Sequence, residues 1–246
     1  MQDIHYTLLT SHFGADNLKS GDNEAKIKRL FDKVSRNIFE AHITMYRDIG
    51  ELPFIYNERM GYAAIASSLF KLSPYVISEY PFSCKDNDKV ENKSSRAVDF
   101  WYMSKDGKLE VYIESKHIHQ SLKDINLQNH ETIKSGLQQI YDLKNMNVHT
   151  FNDCHTLGLM LLSLCFYATP TLKELPNFKA LQKETLNSLE GYIDYRRYMG
   201  ILCSGVDISG EITKAQKKKK ADCFSDYGYY EMPYLMLVGF VVEMPQ

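Results

Sequence analysis

Asp106-Gly107 lies between two alternating stretches in VDFWYMSKDGKLEVYIESKH (98–117), and no other dipeptide constrains the chain as strongly. Asp-Gly signals a two-residue type I′ hairpin loop, because both central positions of that turn need positive φ. With these residues as the loop, Lys105 faces Lys108. Counting outward then sets Val98, Phe100 and Tyr102 on one face with Leu109, Val111 and Ile113. That face is apolar and fit for a core. On the second face Asp99 lies directly opposite Glu114, and Lys116 follows two residues along. A three-residue loop with a bulge would shift the pairing by one.

Like charges facing each other across a sheet are destabilising, and two close carboxylates do not both stay ionised without something between them. A shared proton or a divalent cation is therefore implied. Two carboxylates with a backbone carbonyl and water form the hard-oxygen environment that Mg²⁺ prefers. A neighbouring lysine can orient a metal-activated water. The second face thus reads as a metal site for phosphodiester hydrolysis; the plainer alternative is a salt-bridge cluster on a solvated sheet, which would contribute little energy.

Around the hairpin, periodicity predicts a helix from Asp22, with Ile27, Leu30, Phe31, Val34, Ile38 and Phe39 on one side. A second helix is expected from an Asn57 N-cap to Ser73-Pro74, with Glu58 in its first turn. YVISEYPFS reads as a strand and CKDNDKVENKSSR as a loop. After the hairpin come a helix over ETIKSGLQQIYDLKN and a buried strand in TLGLMLLSLCFYAT, which together imply a mixed sheet with a crossover. FKALQKETLNSLE reads as a helix, KAQKKKKAD as a loop and MPYLMLVGFVVEM as a last buried strand. The expected organisation is a single domain over 1–246, with a helical N-terminal extension (1–50), a core (51–170) and a C-terminal helix and strand (171–246).

The 246 residues suit one α/β domain. A hydrophobic share of 44% and a charged share of 24% give no sign of disorder. At a net charge of −2 the chain as a whole does not attract polyanions, so a nucleic acid would have to meet a local basic patch. Five dispersed cysteines without C-x-x-C argue against a disulfide framework or zinc ribbon. With no signal-peptide layout and no apolar run near the roughly 18 residues of a membrane span, a cytoplasmic protein is expected.

An aspartate at a strand start, a hairpin, and a strand VYI running into Glu114-Ser115-Lys116 resemble the PD-(D/E)XK nuclease core, the restriction-endonuclease-like fold. The resemblance spans roughly 57–168 and includes the upstream order of a helix bearing Glu58 and a strand ending near Glu79. Val98 stands where the family pattern has proline. Acid-x-Lys also occurs at Glu24 to Lys26, Glu91 to Lys93, Asp106 to Lys108 and Asp142 to Lys144, but with no apolar strand before it and no opposed acid. The resemblance implies an α/β fold with a mixed central sheet flanked by helices. Mg²⁺ or Mn²⁺ would be held by Asp99, Glu114, the Ser115 carbonyl and Glu58, with Glu79 a rival third acid. Lys116 would position the attacking water, and Gln138, Gln139 and Tyr141 would help hold the site. The implied substrate is DNA and the implied role a restriction-type, defence or repair endonuclease. Cutting both strands would favour a homodimer; a partner methyltransferase or defence protein is not identified by the sequence.

Other features have competing readings. His117 and His119 could ligate zinc with Cys154 or His155, although histidines so placed are more often surface residues. Trp101 and Tyr112 share the acid face and could stack on a base, but aromatics beneath a covering helix are commoner. Lys217 to Lys220 could contact phosphates or simply be solvated. In place of an enzyme, the fold could serve as an inactive nucleic-acid-binding or regulatory module, or as a structural partner.

Overall fold

In the computed structural model, described for residues 6–11, 21–54, 58–82, 96–128, 130–144, 154–169, 171–192, 200–217 and 231–244, a seven-stranded sheet lies between two layers of helices. In chain order the elements are β1 (Tyr6–Ser11), α1 (Gly21–Ile49), α2 (Glu58–Leu72), β2 (Val76–Phe82), β3 (Arg96–Met103), β4 (Leu109–Ser121) and α3 (Glu131–Lys144). They continue as β5 (His155–Ala168), α4 (Phe178–Glu190), β6 (Gly200–Asp207), α5 (Ser209–Lys217) and β7 (Glu231–Glu243). The strand order is β1-β6-β7-β5-β4-β3-β2. Among the described residues only β4 and β5 pair in parallel, joined by the α3 crossover, so the sheet is mixed and the fold is α/β.

Helices α1, α2 and α5 cover one face. The spacing in α1 buries Ile27, Leu30, Phe31, Val34, Ile38 and Phe39 against Phe100, Val111, Leu159 and Leu237. Each such side chain contributes roughly 1.5–3 kcal/mol by leaving water, so α1 is a wall of the core and more than an extension. It ends where Gly50 takes φ 79 and its N–H bonds to Tyr46 O. Helices α3 and α4 cover the other face through Ile133, Leu137, Ile140, Leu181 and Leu189, packed on Met160, Leu162, Phe166 and Phe240. The Asn57 cap and the 83–95 loop lie outside the described residues.

Several elements differ from expectation. β1 precedes α1 and pairs with β6 at the sheet edge. β6 itself is buried along its length, so it shows no alternation from which to read it. The lysine run begins inside α5, which includes Lys217, while Lys218 to Lys220 lie outside the described residues. Among the described residues, no helix is long and apolar enough to cross a membrane.

Candidate active site

The hairpin closes differently from a type I′ turn but in the same register. Ser104 and Leu109 form the last pair, Gly107 N donates to Ser104 O at 2.9 Å, and only Gly107, at φ 68, is left-handed in the loop. Asp106 Oδ1 accepts from Ser104 Oγ and from Lys108 N, which hold its carboxyl below the usual range. The loop is thus Lys105 to Lys108. Adding one residue to each side of a two-residue loop leaves every facing pair unchanged, and Phe100↔Ile113, Trp101↔Tyr112 and Tyr102↔Val111 face each other as expected.

Beyond Phe100 the strands part. Asp99 and Glu114 do not continue the ladder as a facing pair; instead Asp99 Oδ2 accepts from Ser115 N at 2.6 Å and from Ser115 Oγ at 2.9 Å, so its carboxylate takes the place of a ladder carbonyl. The cause lies one strand away. Glu79 takes φ 50, a conformation that costs a non-glycine residue on the order of 1 kcal/mol, and both Glu79 and Asp99 drop out of the β2–β3 ladder. Alternation changes face across this paired kink: Val76 and Phe100 point to the α1–α2 side, Tyr80 and Val98 to the α3–α4 side. Val98 is therefore not on the face of Phe100 and Tyr102, contrary to the sequence expectation.

Glu114 and Lys116 lie on the α3–α4 side. Glu114 is 5% exposed, and Lys116 Nζ reaches its Oε1 at 2.6 Å. The Lys116 stem runs beneath Gly136 of α3, where a Cβ would come within 2.8 Å of Lys116 Cγ and 2.5 Å of Met160 Sδ. From the other layer Tyr62 of α2 donates its hydroxyl to Asp99 O at 2.5 Å. Burial first, then the charges of Asp99, Glu79 and Glu114, push that phenol up to about 12.

Asp99 is thus tied to Ser115, whose side chain lies on the other face of β4 from its neighbours Glu114 and Lys116, while Glu114 and Lys116 pair with each other and Glu79 is exposed on β2. Glu58 is the first residue of α2, one turn before Tyr62; its side chain lies outside the described residues. Gln138 and Gln139 are exposed on α3, and Gln138 donates to Asp142 rather than to the site. Trp101 and Tyr112 are buried beside Tyr80 and belong to the core.

Sequence reasoning missed three groups. Tyr62 was not singled out in the sequence; its spacing four residues after Glu58 was the available signal. The Ser115 hydroxyl binds Asp99, where only its carbonyl was expected to act. Glu110, fully buried, accepts from Trp101 Nε1 at 2.7 Å, Tyr112 Oη at 3.0 Å and Thr156 Oγ1 at 2.8 Å. Its even position on β4, shared with Glu114 and Lys116, already placed it on their face.

The H-x-H pair lies on the opposite face of β4. Cys154 and His155 are at the start of β5, where His155 faces Leu109, roughly 26 Å along the strand from His117 and about 33 Å from His119. Neither can complete a site with them. Comparison with protein-family models, with curated proteins and with solved structures found no match for this chain.

Proposed function

We propose that this chain is a metal-dependent nuclease of the PD-(D/E)XK, restriction-endonuclease-like kind, hydrolysing phosphodiester bonds of DNA, with restriction, defence or repair as its setting. The observation that carries this reading is the meeting of Asp99 with Glu114-Ser115-Lys116 where β3 leaves β4.

The donor set fits Mg²⁺ or Mn²⁺. All its ligand candidates are hard oxygens, and Asp99, Glu114 and Glu79 together outweigh the single Lys116 charge. Asp99, Glu114 and the Ser115 carbonyl would hold the ion, with Glu79 or Glu58 as the third acid. When bound, such an ion lowers the pKa of a coordinated water and offsets charge on the phosphate. Ser115 fixes the Asp99 carboxylate through two hydrogen bonds, and Tyr62 holds the Asp99 backbone. Lys116, on a stem confined by Gly136, brings an ammonium to Glu114 and orients the attacking water.

The test is cleavage of supercoiled and linear DNA with Mg²⁺ or Mn²⁺ by the wild type, Lys116→Ala and Asp99→Ala, with metal-free melting temperatures as the control for folding. Cutting by the wild type and its loss in both folded variants is expected. Cutting that survives both substitutions would remove the site. If no form cuts and Mg²⁺ leaves the melting temperature unchanged, an inactive nucleic-acid-binding or regulatory module takes the place of the enzyme.

A further inference from the structure

We propose that His117, His119 and Cys165 form a second metal site, for a transition ion of the zinc class, on the face of β4 opposite Glu114 and Lys116. The inference stands apart from the nuclease reading.

The sheet builds the site by parity alone. His117 and His119, two residues apart on β4, point to the same face. Cys165 of β5 is the direct parallel partner of His119 and points the same way. The two Nε2 atoms are 3.0 Å apart, and one ligand atom from each of the three residues lies within 4.8 Å of the others. Tetrahedral Zn²⁺ with nitrogen and sulfur ligands needs them about 3.3–3.6 Å apart, so on binding the two nitrogens would part by about 0.3 Å and the sulfur would close by up to about 1 Å.

The surroundings point to a ligand. The group borders Phe54, Ile113 and Leu161 of the buried cluster, with Ser163 beside His117 and His42 against Phe54 as polar neighbours, and two imidazoles and a thiol are costly at such a border unless they are satisfied. Only one proton fits between the facing Nε2 atoms. His117 Nδ1 is buried without a hydrogen-bond partner among the described residues, so the ring makes its polar contact through Nε2. The Cys165 thiol donates to Phe54 O at 3.2 Å and would give up that weak bond as a thiolate ligand.

A thiolate with two imidazoles selects zinc, cobalt or copper over Mg²⁺ or Mn²⁺. His119 is exposed and Cys165 buried, so the fourth position opens toward solvent and takes water.

Titration of the metal-free protein with Co²⁺ reads the site directly, since a cobalt–thiolate bond gives near-ultraviolet charge-transfer absorption. One equivalent is expected to produce that band with strong visible tetrahedral absorption, and Zn²⁺ to abolish both. His119→Ala, at an exposed position that leaves the core intact, should lower Zn²⁺ affinity by more than the roughly 10–100-fold that follows removal of a group merely supporting a ligand. Cys165→Ser should erase the charge-transfer band, while Asp99→Ala should retain it. Absence of the band in the wild type, Zn²⁺ affinity undiminished in His119→Ala, or loss of the band in Asp99→Ala alone would overturn the proposal.

Discussion

His42 shows how a single buried side chain couples this fold to pH. It lies on α1 at 2% exposure, its ring 5.9 Å from that of Phe54 and its Nδ1 without a hydrogen-bond partner among the described residues. Burial lowers its imidazole to about 3. The unfolded chain takes up that proton near pH 6.5. Between about 6.5 and 3 the unfolded state therefore binds more protons than the native one, and stability falls as pH drops. One such group gives a slope approaching 1.4 kcal/mol per pH unit. Urea denaturation of wild type and His42→Leu between neutral pH and about pH 5 should show a shallower decline for the variant. Parallel curves would mean that His42 finds a proton acceptor in the native state.

At the level of elements, α3 and the acid site are coupled through Gly136. A methyl group there would meet the Met160 sulfur and the Lys116 stem, and overpacking of this kind costs about 1–3 kcal/mol. Gly136→Ala should lower the melting temperature and, under the nuclease reading, reduce cleavage, with Met160→Ala restoring part of both by making room. An unchanged melting temperature would show that α3 can lift away without cost. What was legible at this scale followed from periodicity: α1, α3, α4 and the β4–α3–β5 crossover. The β3–β4 pairing was legible too, because parity survives a symmetric change in loop length. The paired kink was not, since the strain is at Glu79, on the neighbouring strand, and its effect appears at Asp99 and Val98. The third residue of the His-His-Cys group was equally hidden: that His119 faces Cys165 depends on how β5 registers against β4, which no local pattern encodes.

For the molecule as a whole, a net charge of −2 leaves any polyanion to a local patch, and one exists. A cavity of about 380 Å³ between α1 and the β3–β4 turn is lined by Lys26, Arg29, Lys33 and Lys105, with Asp106 the acid among its lining residues. If the chain acts on DNA, these cations are suited to bind its phosphates. Arg29→Glu with Lys33→Glu should weaken duplex binding and flatten its salt dependence, by about 0.9 in the logarithmic slope for each phosphate no longer neutralised, while leaving melting unaffected. A salt slope equal to that of the wild type would place the DNA elsewhere on the surface.

The strand order also sets a timetable. β1 leaves the ribosome before the other described strands, yet its partner in the described sheet is β6; β6 in turn reaches β5 through β7, the latest of the described strands to be made. The β2–β5 half can assemble as it emerges. The other half must wait for residues 231–243, so β1 and β6 stay apart from the β2–β5 sheet until β7 is made, and a ribosome that stalls before β7 releases a half-sheet with the long apolar edge of β5 exposed.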